Sequence, residues 1–251
     1  MTALRQTTPV SLLCCAHSGG SASFYRPLAA IDVAGPVPLL VNPLQYPGRE
    51  DRIDDPLPRQ LTDLADEVAT TALRHREPVV LFGHSMGAAV AFEAAIALTA
   101  AGVAPRALVV SGRTPPMYPI RSRMHAEPGV RMWQRLSALG GLHPEILHND
   151  DLRELLDPIV REDLRVSETY CYRGRLPVLD CPVLAASGRD DPVASGTAMQ
   201  DWNHVTSGPV RRRVFDGDHF YVKPAGEQLL AWISDELSTL GAEPSTAADH
   251  A

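Results

Sequence analysis

Cysteine is scarce in this chain, and the four present, Cys14, Cys15, Cys171 and Cys181, make no disulfide framework. Cys14 and Cys15 are adjacent on an expected strand, so they point to opposite faces. No Cys-x-x-Cys or His-x-x-x-His spacing offers a zinc site. Positive charge is not in excess. The 23 Lys and Arg against 30 Asp and Glu give a formal charge of −7, which argues against nucleic acid as a general partner, since that calls for a basic face. No apolar run approaches the ~20 residues that a membrane span needs. Residues 1–8 lack the apolar core of a secretory signal. No internal repeat is present. Together these absences lead to the expectation of a reduced, cytoplasmic enzyme in which residues 1–251 form one domain.

What is present fits an ordinary globular protein: 45% apolar and 21% charged residues. The 22 prolines and 18 glycines are spread between apolar segments, which implies turns and rigid loops. Apolar strand-like runs alternate with helical periodicity. The expected strands are 10–16, 37–42, 79–82, 107–111, 181–187 and 210–215. Expected helices include 61–75, the stretch after Ser85 to about Ala101, and 226–240. Pro38 places the second strand at a strand start or sheet edge. Such alternation implies a mostly parallel sheet covered by helices on both faces. From about Thr114 to Leu176 no apolar strand appears, and the segment is too long for an ordinary connection. It is expected to be a helical lid inserted between two core strands. Residues 241–251 read as a frayed tail.

The most informative stretch is Gly83-His84-Ser85-Met86-Gly87. A serine hydroxyl is a poor nucleophile unless a base takes its proton, so it must stand clear at the end of a strand. Gly83 and Gly87 remove side chains that would collide in so sharp a turn. The following helix brings N–H groups near the place where an oxyanion would form. This is the Gly-x-Ser-x-Gly nucleophile elbow, here with its strand before and its helix after, and it indicates an α/β-hydrolase fold. The side chain of His84 is expected to point away from the serine's side of the turn and to serve packing.

In this fold the acid and then the base follow the serine in the chain. His219, in a glycine turn directly after a strand, is the candidate base. His75, His125, His143, His148, His204 and His250 have no such setting and read as solvated or lid residues. For the acid, the spacing Gly188-Arg189-Asp190-Asp191-Pro192 favours Asp191, with Asp190 as competitor; the alternative is that both cap a turn or the next helix. Asp216 and Asp218 are expected to shape the turn around His219. For the oxyanion, the backbone N–H groups of Met86 and of Ser18, in the turn His17-Ser18-Gly19-Gly20, are the candidates.

With these residues in place, the chain from about Ser11 to Leu240 resembles the type II thioesterases of polyketide and nonribosomal peptide synthesis. The resemblance is carried by five motifs in order: residues 15–25, Tyr46-Pro47-Gly48-Arg49-Glu50, the elbow, Gly188 to Pro192, and Gly217-Asp218-His219-Phe220. Members of that family usually read Phe-Pro-His-Ala-Gly-Gly in the first turn. Here Cys15-Ala16 replaces Phe-Pro, and Ser18 stands where alanine is usual. The resemblance implies hydrolysis of acyl groups held as thioesters on the phosphopantetheine arm of an acyl or peptidyl carrier protein, by a Ser85–His219–Asp191 triad. No metal or redox cofactor is called for, and the enzyme is expected to act as a monomer. The lid would form the acyl pocket, with Met117, Met124, Met132, Trp133, Leu136 and Leu139 as candidate lining. Arg121, Arg123, Arg161, Arg165 and Arg211 to Arg213 are candidates for meeting the phosphate or the carrier surface. The alternatives are a chain-releasing thioesterase or cyclase, a general esterase of the same fold, and a non-catalytic carrier-binding protein.

Overall fold

The computed structural model describes residues 8–142 and 144–242. In chain order the elements are β1 (Val10–Cys15), α1 (Arg26–Ala29), β2 (Leu39–Pro43), α2 (Leu61–Ala72), β3 (Val79–His84), α3 (Met86–Ala100), β4 (Ala107–Ser111), α4 (Gly129–Ala138), α5 (Pro144–His148), α6 (Asp150–Thr169), β5 (Val183–Gly188), β6 (Val210–Phe215) and α7 (Gly226–Ala242). The six strands form one sheet in the order β2-β1-β3-β4-β5-β6, and every pairing is parallel. β2 lies at an edge and begins directly after Pro38, where a missing N–H costs no ladder bond. β6 is the other edge. It carries Arg211, Arg212 and Arg213, charges that discourage edge-to-edge pairing.

The inner strands are apolar because both faces are covered. β1, β4 and β5 are buried along their whole length, and β3 after its first residue. α3 is built from Ala88, Ala89, Val90, Ala91, Phe92, Ala94 and Ala95, all fully buried. A helix apolar all round must be enclosed, and α3 packs against the sheet, α2 and α6. Small side chains let it approach the sheet closely. α2 is amphipathic, with Leu61, Leu64, Ala65 and Val68 inward and Asp63 accepting from the N–H of Gln60 at 3.1 Å.

Between β4 and β5 there is no strand among the described residues; the chain makes a 3-10 turn at Met124–Ala126 and then α4, α5 and α6. This is the expected helical insertion. It has a small core of its own: Met124, Met132, Trp133, Val160 and Leu164, with Leu136, Leu142, Ile146 and Leu156 packed against it. α7 continues to Ala242 rather than ending at the start of the expected tail; residues 243–251 lie outside the described residues. No described helix is long and apolar enough to cross a membrane.

Candidate active site

The turn after β3 is strained at its centre. Ser85 has φ 54° and ψ −117°, a conformation costly for a residue with a side chain. Its neighbours permit it. A Cβ on Gly83 would lie 2.0 Å from the Gly87 carbonyl oxygen, and one on Gly87 would lie 2.1 Å from that of Cys15. Neither backbone atom can move aside, so both positions require glycine. The N–H of Ser85 donates to the Ser111 carbonyl at 2.8 Å, which ties the elbow to β4.

The end of β5 and the loop after β6 bring the other two candidates together. His219 Nδ1 lies 3.0 Å from each carboxylate oxygen of Asp191. Asp191 Oδ1 also accepts from the backbone of Val193 at 2.8 Å and of Ala194 at 3.2 Å, so the carboxylate both fixes its loop and faces the imidazole. Both side chains are buried, whereas Asp190 is exposed and makes no contact with the histidine. The flanking aspartates shape the loop as expected: Asp218 accepts from the N–H of Phe220 at 2.8 Å, and Asp216 pairs with Arg189 at 2.9 Å.

Ser85, His219, Ser18 and Phe220 line one cavity of about 510 Å³ beneath the lid. On the lid side its lining is mostly apolar, with Ile120, Met124, Leu136, Leu139 and Leu164, and is joined by Ser122, Arg135, Ser167 and Glu168. A smaller cavity of about 90 Å³ adjoins it, sharing His17, Ser18, Leu136 and Phe220 and reaching Trp133, Leu142, Ile146 and Leu156. The backbone N–H groups of Ser18 and Met86 donate to no acceptor among the described residues, so both are available at the cavity end of the turn and of α3.

Several expectations need correcting. Met132 is fully buried inside the lid's own core, and Met117 packs against the main core; neither lines the cavity. Helical spacing alone does not say which apolar face of α4 meets the lid core and which meets the void. Arg161 is spent on Asp157 and on the carbonyls of His125 and Glu127, and Arg165 on Glu162 and the carbonyl of Arg59. Both arginines therefore hold loops and helix turns of this chain. Arg211 lies 3.6 Å from Glu236, and the guanidinium of Arg213 sits over the Phe215 ring. Arg121 and Arg123 are exposed. His75 is half-buried against Ser11 Oγ at 3.0 Å rather than solvated. His143 and His250 lie outside the described residues.

His84 packs, as expected, but it does not turn away from the site. Its ring centroid is 4.8 Å from that of His219. Ser111 Oγ draws it inward at Nδ1 (2.9 Å) and in turn meets the Tyr221 hydroxyl at 2.7 Å. Gly112 leaves the room, since a Cβ there would stand 2.6 Å from the His84 ring. His17 completes a cluster of imidazoles, 6.2 Å from His84 and in edge contact with Phe24 and Phe220. Burial pushes His17 down to about 3 and His84 well below the usual imidazole range; the nearby His219 adds to both. His219 alone of the three faces a carboxylate. A buried imidazolium is costly without such a partner, which is why His17 and His84 stay neutral.

Sequence reasoning also missed what Arg49 does. Its guanidinium, almost wholly buried, forms a two-pronged ion pair with the fully buried Asp163 of α6 (2.6 and 2.9 Å). The available signal was a carboxylate at Asp163 within the buried stripe Ile159, Val160, Leu164, Val166 and Ser167 of α6.

Fold and site define an α/β-hydrolase built around a serine elbow, and the comparisons give its family. Residues 10–237 match the family model described as a thioesterase domain. The chain belongs to the thioesterase family. It is 36% identical over 231 residues to the thioesterase PikA5 of Streptomyces venezuelae, covering 91% of this chain and 81% of that protein. It is 39% identical over 215 residues to a probable cadicidin biosynthesis thioesterase of Streptomyces griseus, covering 85% of this chain but only 58% of that relative's length. Among solved structures, YbtT, a type II thioesterase from the yersiniabactin NRPS/PKS biosynthetic pathway, superposes with a TM-score of 0.82 at 29% identity, covering 94% of this chain and 95% of that one. These relatives bear out the resemblance to type II thioesterases of polyketide and nonribosomal peptide pathways.

Proposed function

We propose that this thioesterase hydrolyses acyl groups held as thioesters on the phosphopantetheine arm of a carrier protein, clearing wrongly loaded or stalled groups from an assembly line. Ser85 is the nucleophile, His219 the base and Asp191 the acid that orients it. His219 Nε2 takes the Ser85 proton as Oγ attacks the thioester carbonyl. Asp191 holds the Nδ1 proton and stabilises the imidazolium that forms. The N–H groups of Met86 and Ser18 receive the tetrahedral oxyanion. His219 then protonates the departing thiol. Water, deprotonated by the same histidine, attacks the acyl-serine, and collapse of the second intermediate frees the acid and returns the proton to Ser85.

The observation that carries this proposal is the Asp191–His219 pair set against the strained Ser85 elbow at one cavity. The apolar wall contributed by the lid supports an acyl chain as the occupant. The pathways named for the relatives support a carrier protein as its bearer. The test uses carrier proteins loaded with acetyl, propionyl, medium-chain or aminoacyl groups, incubated with wild type or Ser85→Ala while carrier mass is followed. We expect release by the wild type and a loss of at least about a thousandfold in the variant. Absence of serine-dependent release from all of them would defeat the proposal.

A further inference from the structure

Besides the Arg165 bond to the Arg59 carbonyl, lid helix α6 is fastened to the rest of the chain at three places. Tyr170 donates its hydroxyl proton to Glu93 on α3. Arg113, after β4, donates to the hydroxyl of Ser167 at 2.8 Å and to its carbonyl at 3.1 Å. The third fastening is the Arg49–Asp163 pair, and it alone touches the turn that holds Ser18. Arg49 Nη1 donates to the Gly20 carbonyl at 2.9 Å as well as to Asp163 Oδ2. Asp163 Oδ2 in turn accepts from the N–H of Gly19 at 2.8 Å. The ion pair thus grips the turn at the N–H of Gly19, one residue beyond the Ser18 N–H, and at the carbonyl of Gly20. Arg49 is itself held: its Nε donates to the Pro47 carbonyl at 3.2 Å, and its own carbonyl accepts from Gln45 at 3.1 Å. Packing closes the arrangement, since a Cβ on Gly19 would lie 2.8 Å from Val160 of α6.

A buried ion pair is a weak device for stability, because apolar side chains of similar volume serve as well or better. What apolar side chains lack is the capacity to orient two backbone groups of a glycine turn. An N–H aimed at an oxyanion is effective only if its direction is fixed before the reaction.

We propose that Arg49 and Asp163 are positioning residues: their ion pair, made between the loop after β2 and the lid, sets the direction of the Ser18 N–H towards the oxyanion. This rests on the assignment of Ser85 and Ser18 given above. The Tyr46-Pro47-Gly48-Arg49-Glu50 motif thereby acquires a task in the chemistry, and the lid takes part in catalysis besides enclosing the acyl chain.

The experiment measures kcat and KM on a short-acyl N-acetylcysteamine thioester. It also measures inhibition by an acyl trifluoromethyl ketone, whose adduct with Ser85 carries the oxyanion. In Arg49→Lys and Asp163→Asn, kcat is expected to fall about ten- to a hundredfold with KM held within about threefold, and the ketone's Ki to rise as kcat/KM falls. Tyr170→Phe, which releases another lid fastening, is expected to leave kcat within about twofold of wild type. Removing one partner of a buried pair can unfold a chain, so the double variant Arg49→Met with Asp163→Leu is measured as well. Restored melting temperature with kcat still low supports positioning. Wild-type kcat in the folded double variant, or in either folded single variant, overturns it. Absence of Ser85-dependent turnover in the wild type overturns the functional proposal and the latch together.

Discussion

The sheet ends and the lid contribute to one cavity, but they are built on different terms. At the sheet ends His219 and Asp191 are buried and the geometry is over-determined: Ser85 is held by two obligatory glycines and by Ser111, His219 by both oxygens of Asp191, and Asp191 by two backbone N–H groups. The lid has a small separate core and many half-exposed ion pairs, among them Arg161–Asp157 and Arg165–Glu162. Strain persists only where the surroundings enforce it, which suits the sheet as the seat of the proposed nucleophile. The lid carries fewer such constraints, which suits its proposed role of enclosing an acyl chain. The two meet most firmly at Arg49 and Asp163.

The comparison would break first at the acid. Asp191→Asn keeps a carbonyl oxygen to accept from Val193 and Ala194 but no longer holds His219 in the required tautomer. Turnover should fall about a thousand- to ten-thousandfold with little change in melting temperature, whereas Asp190→Asn should fall within about twofold of wild type. Equal activity of Asp191→Asn and wild type would move the acid elsewhere. A melting temperature that collapses with Asp191→Asn would assign the residue to the loop more than to the histidine.

The lid should answer in stability rather than in rate. Met132 is fully buried between α4 and α6, so Met132→Ala should cost about 2–5 kcal/mol in denaturant unfolding, by loss of transfer energy and the cavity left behind. Because the side chain does not line the cavity at Ser85, the ranking of acyl substrates should be unchanged. Leu136 does line it. A changed substrate ranking in Met132→Ala would mean that the lid core and the acyl wall are one unit.

The difference between the halves also decided what the sequence could disclose. The elbow is legible because its pattern is local: strand, two glycines and small-residue helix are contiguous, and Gly83 is demanded by the nearby Gly87 carbonyl, although Gly87 is itself demanded by the Cys15 carbonyl on β1. Asp191 is distinguishable from Asp190 through the spacing from Gly188 to Pro192, and the exposed and buried faces of that loop agree. The lid offered only period and polarity. Its apolar residues divide between its own core, the main core and the cavity, a partition fixed by how α4 and α6 meet and not by either helix by itself. Arg49 and Asp163 stand 114 residues apart; the motif marked one partner, and only the position of Asp163 in an apolar stripe hinted at the other. The inward turn of His84 depends on Gly112 and Ser111 at the end of a different strand, which no reading of the elbow by itself contains.

The smallest effect expected separates the imidazoles of the two halves. In the lid, His125 faces the Glu168 carboxylate. At the sheet ends, His17 is buried with its Nδ1 unbonded among the described residues, and its affinity for a proton is pushed down to about 3. An unfolded histidine takes up a proton near pH 6.5, and the folded His17 does not. Stability from this group is therefore fully present above about pH 6.5 and is lost as pH falls towards 3, at about 1.4 kcal/mol per pH unit. Between pH 7 and pH 5 that amounts to about 2 kcal/mol. Urea unfolding at these two pH values should show the wild type losing more stability than His17→Gln by that amount, whatever the variant's stability at pH 7. His84, buried for the same reason, leaves a residual slope of the same sign in the variant. Identical pH slopes for wild type and His17→Gln would mean that His17 titrates normally in the folded protein. Its ring would then have to reach water, and the turn that carries Ser18 would be looser than the contacts of His17 with Phe24 and Phe220 imply.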